Sequence, residues 1–346
     1  MTAAKTKESV IDVPELSIVV PIFNVEDYLE ECLLSIEAAL DGSFQAEVIC
    51  VNDGSTDGSE AIALTFAARD PRFRVISQSN GGYGKAINTG MKAAKGTFFT
   101  IVESDDVITS DAYKVLLELL GRDKTLDFVK TPYQPFTVDG PKAQMAVPPS
   151  GRAAADLLCA SPPVAPVTYR ADALIFQPPA IWSGIYRRSR LEQFRITLPE
   201  TPGAGYQDTC FSAMCLLNGL KYHWVTDRYY MYRVDRETAS RHMKNRRYEM
   251  VLLFDFIRKN LQGNRRWGKD SKPCFYAVYF RRLIWFMQRV SPDYQFKLFL
   301  KAYRSFEDVW EDPKLRASVC DLLPKGEAVL FDHFWQGRQA KLFAAQ

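Results

Sequence analysis

Three short stretches of the 346-residue chain put carboxylates where they could do chemistry. TFFTIVESDDVI sets Glu103, Asp105 and Asp106 within four residues, directly after an apolar run. Like charges crowded at the rim of a sheet repel unless a cation or several donors offset them. Carboxylate oxygens with open coordination positions suit Mg²⁺ or Mn²⁺, which would also hold substrate phosphates. An acidic helix N-terminus favoured by the helix dipole explains the same cluster without a ligand. VNDGSTDGS, residues 51–59, sets Asn52 and Asp53 at a strand end, with Gly54 for a tight turn and Ser55, Thr56 or Asp57 to cap the next helix. The strand-end carboxylate could instead accept from a nucleobase N–H or a ribose hydroxyl. Asp208 precedes the apolar stretch TCFSAMCLL and, taken by itself, reads as an N-terminal helix cap.

These groups act together only if the fold gathers them. LSIVVPI, EVICVND, FRVIS, TFFTIV and DFVK read as strands, and the segments starting near Glu26, Asp57, Tyr83 and Ser110 read as helices. Alternation of this kind implies an α/β fold with right-handed crossovers and a mostly parallel sheet, whose ligands lie beyond the carboxyl ends of the strands. Residues 131–202 are proline-rich and read as an insertion that elaborates the sheet; from Tyr206 onward the pattern is mainly helical. The first strand ends in PIFN without G-x-G-x-x-G, and Gly84-Lys85 lacks the P-loop glycine at Ser79 and hydroxyl at Ala86. Both dinucleotide and P-loop readings fail.

With 47% hydrophobic and 25% charged residues the chain can bury a large core, and its length suits about two domains. No apolar stretch reaches the ~18 residues of a spanning helix, and the N-terminus lacks an apolar signal region, so secretion and membrane spanning are not expected. Seven cysteines without a C-x-x-C pair and three scattered histidines disfavour a disulfide scaffold and a zinc site, leaving buried free thiols in a reducing cytoplasm. The charge is uneven: residues 1–240 carry 23 Lys+Arg against 30 Asp+Glu, and the remainder carries 21 against 11. Such a basic region suits an anionic partner, whereas a solvated helical face is the plainer explanation. No nucleic-acid motif accompanies the charge, and no nucleic-acid partner is expected.

The ordered strings LSIVVPIFNVEDYLEECLLSI, VICVNDGSTDGS and SNGGYGKAINTGMKAAKGTFFTIVESDD together resemble glycosyltransferase family 2, the nucleotide-sugar-dependent enzymes of GT-A fold. The likeness covers about the first 120 residues and continues more weakly through PAIWSGIYRR, PGAGYQDTCF and YYMYRVDRETAS to about residue 240. It implies a Rossmann-like GT-A mixed, mostly parallel sheet flanked by helices, with a mainly helical C-terminal region. The catalytic domain would span 15–240, with a nucleotide-binding half at 15–130 and an acceptor-side half at 131–240. A disordered tail over 1–14 would precede it and a basic aromatic helical region over 241–346 would follow.

Carried over residue by residue, the resemblance assigns Pro21 and Phe23 to a uracil pocket, and Asn52 and Asp53 to the uridine part of the donor. Asn80, Gly81 and Gly82 would form the loop over the donor, and Lys85, near a usual arginine position now filled by Ile87, would face the diphosphate. Glu103, Ser104 and Asp105 match the D-x-D element, with Asp105 and Glu103 as ligands of Mn²⁺ or Mg²⁺. Asp208 would be the general base, next to Gln207 where an acid is usual. Trp182, Gln207 and Asp106 fall on the acceptor side, although core packing suits Trp182 equally, and Arg233 resembles a late diphosphate clamp. The implied reaction is inverting transfer of a sugar from a UDP-sugar to a glycan or lipid-linked acceptor in bacterial surface polysaccharide synthesis. QGNRRW departs from the Q-x-x-R-W of processive synthases, so one or a few additions are expected rather than a long polymer. Arg241 to Arg304, interleaved with Trp285, Phe286, Phe296 and Phe299, suits either an anionic membrane surface at the inner face of the cell membrane or a packed helical subdomain. Two rivals remain: a catalytically silent scaffold of the same fold, and a sugar-phosphate nucleotidyltransferase, whose Gly-rich, Arg-containing loop PIFNVEDY does not supply.

Overall fold

The computed structural model describes residues 13–141, 179–225, 227–236, 249–262, 267 and 271–340. The expected N-terminal tail up to residue 12, Cys159, residues 142–178 of the insertion and residues 263–266 of QGNRRW lie outside the described residues.

The first part of the chain contributes β1 (Leu16–Ile22), α1 (Glu26–Ala39), β2 (Ala46–Asn52), α2 (Ser59–Arg69), β3 (Phe73–Ser77), α3 (Tyr83–Ala93), β4 (Phe98–Ile101), β5 (Val107–Ile108) and α4 (Ala112–Arg122). There follow β6 (Phe128–Lys130), β7 (Tyr133–Thr137), β8 (Gly140–Pro141), a 3-10 turn at Ile181–Ser183, β9 (Gly184–Arg187), α5 (Arg188–Gln193), α6 (Gln207–Leu217), β10 (Tyr222–Trp224) and β11 (Tyr230–Arg233). The C-terminal helices are α7 (Glu249–Gln262), α8 (Ser271–Met287), α9 (Pro292–Ser305), α10 (Glu307–Glu311), α11 (Pro313–Leu322) and α12 (Lys325–Ala340). Each strand and helix expected before residue 130 is present.

A seven-stranded sheet runs in the order β10-β6-β9-β4-β1-β2-β3. All its pairs are parallel except those of β9, which runs antiparallel to both β4 and β6. The insertion therefore does enter the sheet, as one reversed strand. A smaller sheet, β5-β11-β7-β8, sits beside it. Every residue of central β1 is buried, and its side chains alternate: Leu16, Ile18, Val20 and Ile22 join the core with α1, α2 and α4, whereas Val19 faces α3. Pro21 is tolerated here because pairing with β4 ends at Val19–Ile101, leaving its missing N–H without a ladder partner to lose on that side. Because β2 flanks β1 on one side and β4 on the other, the crevice beyond their carboxyl ends is the switch point where such sheets bind ligands.

The core on the α3 side does not stop at the sheet. It runs from Val19, Ile49 and Phe99 through Phe211 of α6 into Phe254, Tyr279, Phe306 and Phe331 of the C-terminal helices. Of the four aromatic residues that suited a lipid surface, Phe286 is buried, Trp285 packs against Tyr206, and Phe299 packs against Tyr303 and Phe334; Phe296 is exposed. The aromatic composition is thus mainly that of a packed helical core. No helix among the described residues is long and apolar enough to cross a membrane. Of the cysteines, 32, 50, 210, 215 and 274 are buried free thiols and Cys320 is half-buried.

Helix α3 lies so close to β1 that a Cβ on Gly90 would sit 2.7 Å from Val19 Cγ2 and closer still to Cγ1. Gly90→Ala is therefore expected to destabilise the fold by ~1–3 kcal/mol through overpacking, read as a lowered urea midpoint. An unchanged midpoint would contradict this packing.

Candidate active site

The turn after β2 and the loop before α3 form one side of the crevice. Asn52 and Asp53 are both buried at the strand end. Asn52 Oδ1 accepts from the Ser55 N–H at 3.0 Å, which fixes the turn. Asp53 accepts from Gln78 Nε2 at 2.7 Å and from the N–H groups of Gly81 at 3.0 Å and Gly82 at 2.8 Å. A carboxylate has about four acceptor positions, so the residue expected at uridine is also the brace of the loop over the donor. Pro21 is buried within β1, whereas Phe23 is 45% exposed just past its end, with Asn80 exposed across the turn. The side chain of Lys85 folds back over Gly81, and Lys85 forms no ion pair with any described residue. Asp57 serves two helices: its Oδ1 accepts from the Ser59 N–H at the start of α2 at 3.0 Å, as the capping expectation had it, and its Oδ2 accepts from the Glu26 N–H at 3.1 Å, which ties the start of α1 to this turn.

The acidic turn after β4 is anchored from β11. Asp106, 1% exposed, accepts from the Arg233 N–H at 2.7 Å and the Tyr230 hydroxyl at 2.8 Å. Arg233 donates through Nε to the Asp105 carbonyl at 2.8 Å and pairs with Glu31. Asp106, expected on the acceptor side, and Arg233, expected on the diphosphate, therefore both shape the turn itself. Ser104 is buried within it. The Asp105 carboxylate pairs instead with Arg236, at 3.0 Å. Glu103 accepts from the Tyr83 hydroxyl at the start of α3. Desolvation by the surrounding protein pushes the Glu103 carboxyl up to about 8, reinforced by the charges of Asp105 and Asp208 and opposed by the Tyr83 hydrogen bond.

Asp208, in the first turn of α6, joins the same group. Desolvation raises its carboxyl above the usual range, against the Thr209 N–H at 2.7 Å and the charges of Arg282 and Lys130. Lys130, at the end of β6, is 4% exposed; burial pushes its ammonium down to about 8, and it donates to the Ala180 carbonyl at 2.7 Å. Arg282 comes from α8, so the helical C-terminal region contributes a cation beside the expected base. The same helix sets Trp285 and Phe286 edge-on against Tyr206, at 5.5 and 5.6 Å, and Tyr206 has φ 62° immediately before α6. A bulky residue in that region is uncommon and requires support from its neighbours. Gln207, expected beside the acceptor, is 1% exposed and binds its own loop. Trp182 stacks on Tyr230 and Tyr232 and meets Tyr133 edge-on, which gives it a packing role.

Sequence reading missed Tyr83, Lys130, Tyr206, Arg236 and Arg282. A lysine closing the short buried strand Phe128–Lys130 was a visible signal, since lysine is rarely fully buried. Arg282 gave none, because an arginine pair on a basic helix reads as a solvated face.

Asp105 and Glu103 offer hard oxygen donors two residues apart in one enclosed turn, where burial and the neighbouring carboxylates raise the Glu103 carboxyl. No group of three His, Cys, Asp or Glu side chains suited to a metal occurs among the described residues. One or two carboxylates completed by substrate phosphates is the usual Mg²⁺ arrangement, and these residues fit it.

A mostly parallel sheet carrying an acidic turn at its switch point, with a remote carboxylate brought to that turn, defines the GT-A class. Residues 17–163 match the model of glycosyl transferase family 2. It is 45% identical over 106 residues to the uncharacterized glycosyltransferase EpsJ of Bacillus subtilis, covering 31% of this chain and 30% of EpsJ. It is 29% identical over 261 residues to EpsH of the same organism, covering 74% of this chain and 72% of EpsH. The fold is similar to that of S. aureus TarS 1-349 in complex with UDP-GlcNAc, with TM-score 0.66, 20% identity, and coverage of 93% of this chain and 92% of that one.

Because its folded value near 8 exceeds the ordinary 4.5, protonated Glu103 supports the fold fully below 4.5, and that support is lost as pH rises towards 8. In metal-free buffer the melting temperature of Glu103→Gln, relative to wild type, is expected to climb between about pH 5 and about pH 8. A difference that stays flat across that range would contradict the enclosure of the Glu103 carboxyl.

Proposed function

We propose that this chain is an inverting glycosyltransferase that moves a sugar from a UDP-sugar to a hydroxyl of a glycan or lipid-linked glycan, in bacterial surface polysaccharide synthesis. The observation that carries the reading is the meeting of Asp208 with the Glu103–Asp106 turn. The charge of Asp208, from a distant part of the chain, reaches Glu103 in that turn and, after burial and with Asp105, raises its carboxyl. Helix capping alone gives no reason for that convergence. The UDP-GlcNAc of the TarS complex supports testing uridine donors first.

In this reading uracil and ribose lie against Pro21, Phe23 and the Asn52–Asp53 turn, under the loop of Asn80–Gly82, and the Lys85 ammonium faces the diphosphate. A divalent ion, Mn²⁺ or Mg²⁺, held by Asp105 with Glu103, would offset the charge that builds on the departing diphosphate. Asp208 accepts the proton of the acceptor hydroxyl as that oxygen attacks C1 from the face opposite the leaving group. The new C1–O bond forms as the bond to the diphosphate breaks, UDP leaves, and an α-linked donor gives a β-linked product. A base must lie within ~2.6–3.2 Å of the hydroxyl and be ionised at working pH. Arg282 and Lys130 oppose the desolvation that raises the Asp208 carboxyl and so favour its ionised form.

Asp208→Asn is expected to lower UDP release from the working UDP-sugar by ~10²–10⁴-fold while leaving donor-induced thermal stabilisation in place. Activity within about tenfold of wild type would rule out the base assignment. Asp105→Asn is expected to abolish the Mn²⁺ dependence of donor binding, measured by calorimetry; unchanged dependence would place the metal elsewhere.

A further inference from the structure

Gln207 stands where the family resemblance leads one to expect an acid, and its surroundings suit only an amide. Its Oε1 accepts from the Gly205 N–H, and its Nε2 donates to Thr201 Oγ1 at 3.0 Å and to the Gly203 carbonyl at 3.3 Å. An N–H on one side and a carbonyl on the other fix which end of the amide is which. An ionised carboxylate has no proton for that carbonyl.

The Gly203 carbonyl has a second donor, the Tyr83 N–H at 3.2 Å. Tyr83 opens α3 directly after the loop that Asp53 holds, and its hydroxyl reaches Glu103. Contact between the two loops is close along their length. Gly82 has φ 87°, and a Cβ there would lie 2.9 Å from Gly203 N and closer to the Thr201 carbonyl. Asn88 continues the seam, donating to the Leu198 carbonyl at 2.8 Å and accepting from the Leu198 N–H at 2.9 Å. One carbonyl thus joins the donor loop to the residue preceding Asp208.

We propose that Gln207 is a positioning residue that ties Asp208 to the donor loop, so that seating residues 80–83 on a nucleotide sets the first turn of α6. The inference rests on the glycosyltransferase reading. It makes order at the base a consequence of donor occupancy, with the Gly203 carbonyl as the joint.

UDP alone is the probe, with amide hydrogen exchange as the readout. In wild type, UDP is expected to protect residues 80–83 and 203–209 together. In Gln207→Leu, protection of 80–83 remains and protection of 203–209 is lost, with kcat for UDP release reduced about 10²-fold and donor affinity within about twofold. Coupled protection in the variant, or wild-type kcat, overturns the proposal. Gln207→Glu adds a readout that a merely structural role would not move. Glu200 on the loop, Tyr83 on α3, Glu103 after β4, Asp208 on α6, and Lys130 and Arg282 beyond it are the charged or titratable groups around this position. Protonated, the new carboxyl can again donate to Gly203, so activity relative to wild type should recover as pH falls from about 8 to about 6; a flat ratio overturns the proposal. If Gln207→Leu does not fold, Thr201→Val with the Gln207→Glu profile decides. If UDP protects nothing at 80–83 in wild type, the donor reading fails and this inference falls with it; if Asp208→Asn is inactive but Gln207→Leu is not, this inference alone fails.

Discussion

The enclosure of four carboxylates at the mouth of one crevice is the constraint around which the rest of the structure is arranged. Glu103, Asp105, Asp106 and Asp208 come to the same end of the sheet, partly enclosed by protein, where like charges cost most. Each is met by a group from elsewhere: Tyr83 on Glu103, Arg236 on Asp105, Tyr230 and the Arg233 N–H on Asp106, and Lys130 and Arg282 near Asp208. Those partners come from α3, β6, β11 with its following turn, and α8. Much of the fold outside the parallel strands can be read as the means of delivering them. A divalent ion and a diphosphate would add to this arrangement of charges rather than create it.

The insertion and the C-terminal helices gain a purpose on this view. β9 enters the sheet reversed between β4 and β6, and β11 pairs with β5 beside the acidic turn, which carries Arg233 and Arg236 to it. Helix α8 belongs to the core that reaches back to β1, so Arg282 and the rings on Tyr206 are held by the same packing that covers the sheet. The basic composition of residues 241–304 belongs in part to this work inside the molecule. Phe296 is the remaining exposed ring of the four that suggested lipid contact.

The parallel core was legible because burial on both faces writes β1 and β2 as nearly continuous apolar runs, IVVPI and VICV, and the site motifs sit at their ends by topology. The placement of Asp53 and the Glu103–Asp105 element followed from that. What the sequence hid were roles that depend on residues far along the chain. Asp57 was read as a cap for its own helix, and it also serves α1, because the turn after β2 folds against the turn after β1. Asp106, Arg233 and Gln207 were read as facing ligands, yet each has its polar atoms engaged by backbone that a linear string does not reveal. Arg282 is half-buried near Asp208 only because α8 docks there, and no local pattern records that.

The central claim is that the crevice beyond β1 and β4 is a nucleotide-sugar site whose acidic turn works with a divalent ion. Its most direct test is calorimetric titration of wild-type protein with UDP-glucose, UDP-galactose, UDP-GlcNAc and UDP-GalNAc, each with and without Mn²⁺. The account predicts saturable binding of at least one UDP-sugar, strengthened by the metal. No binding of any of the four, with or without Mn²⁺, would contradict it.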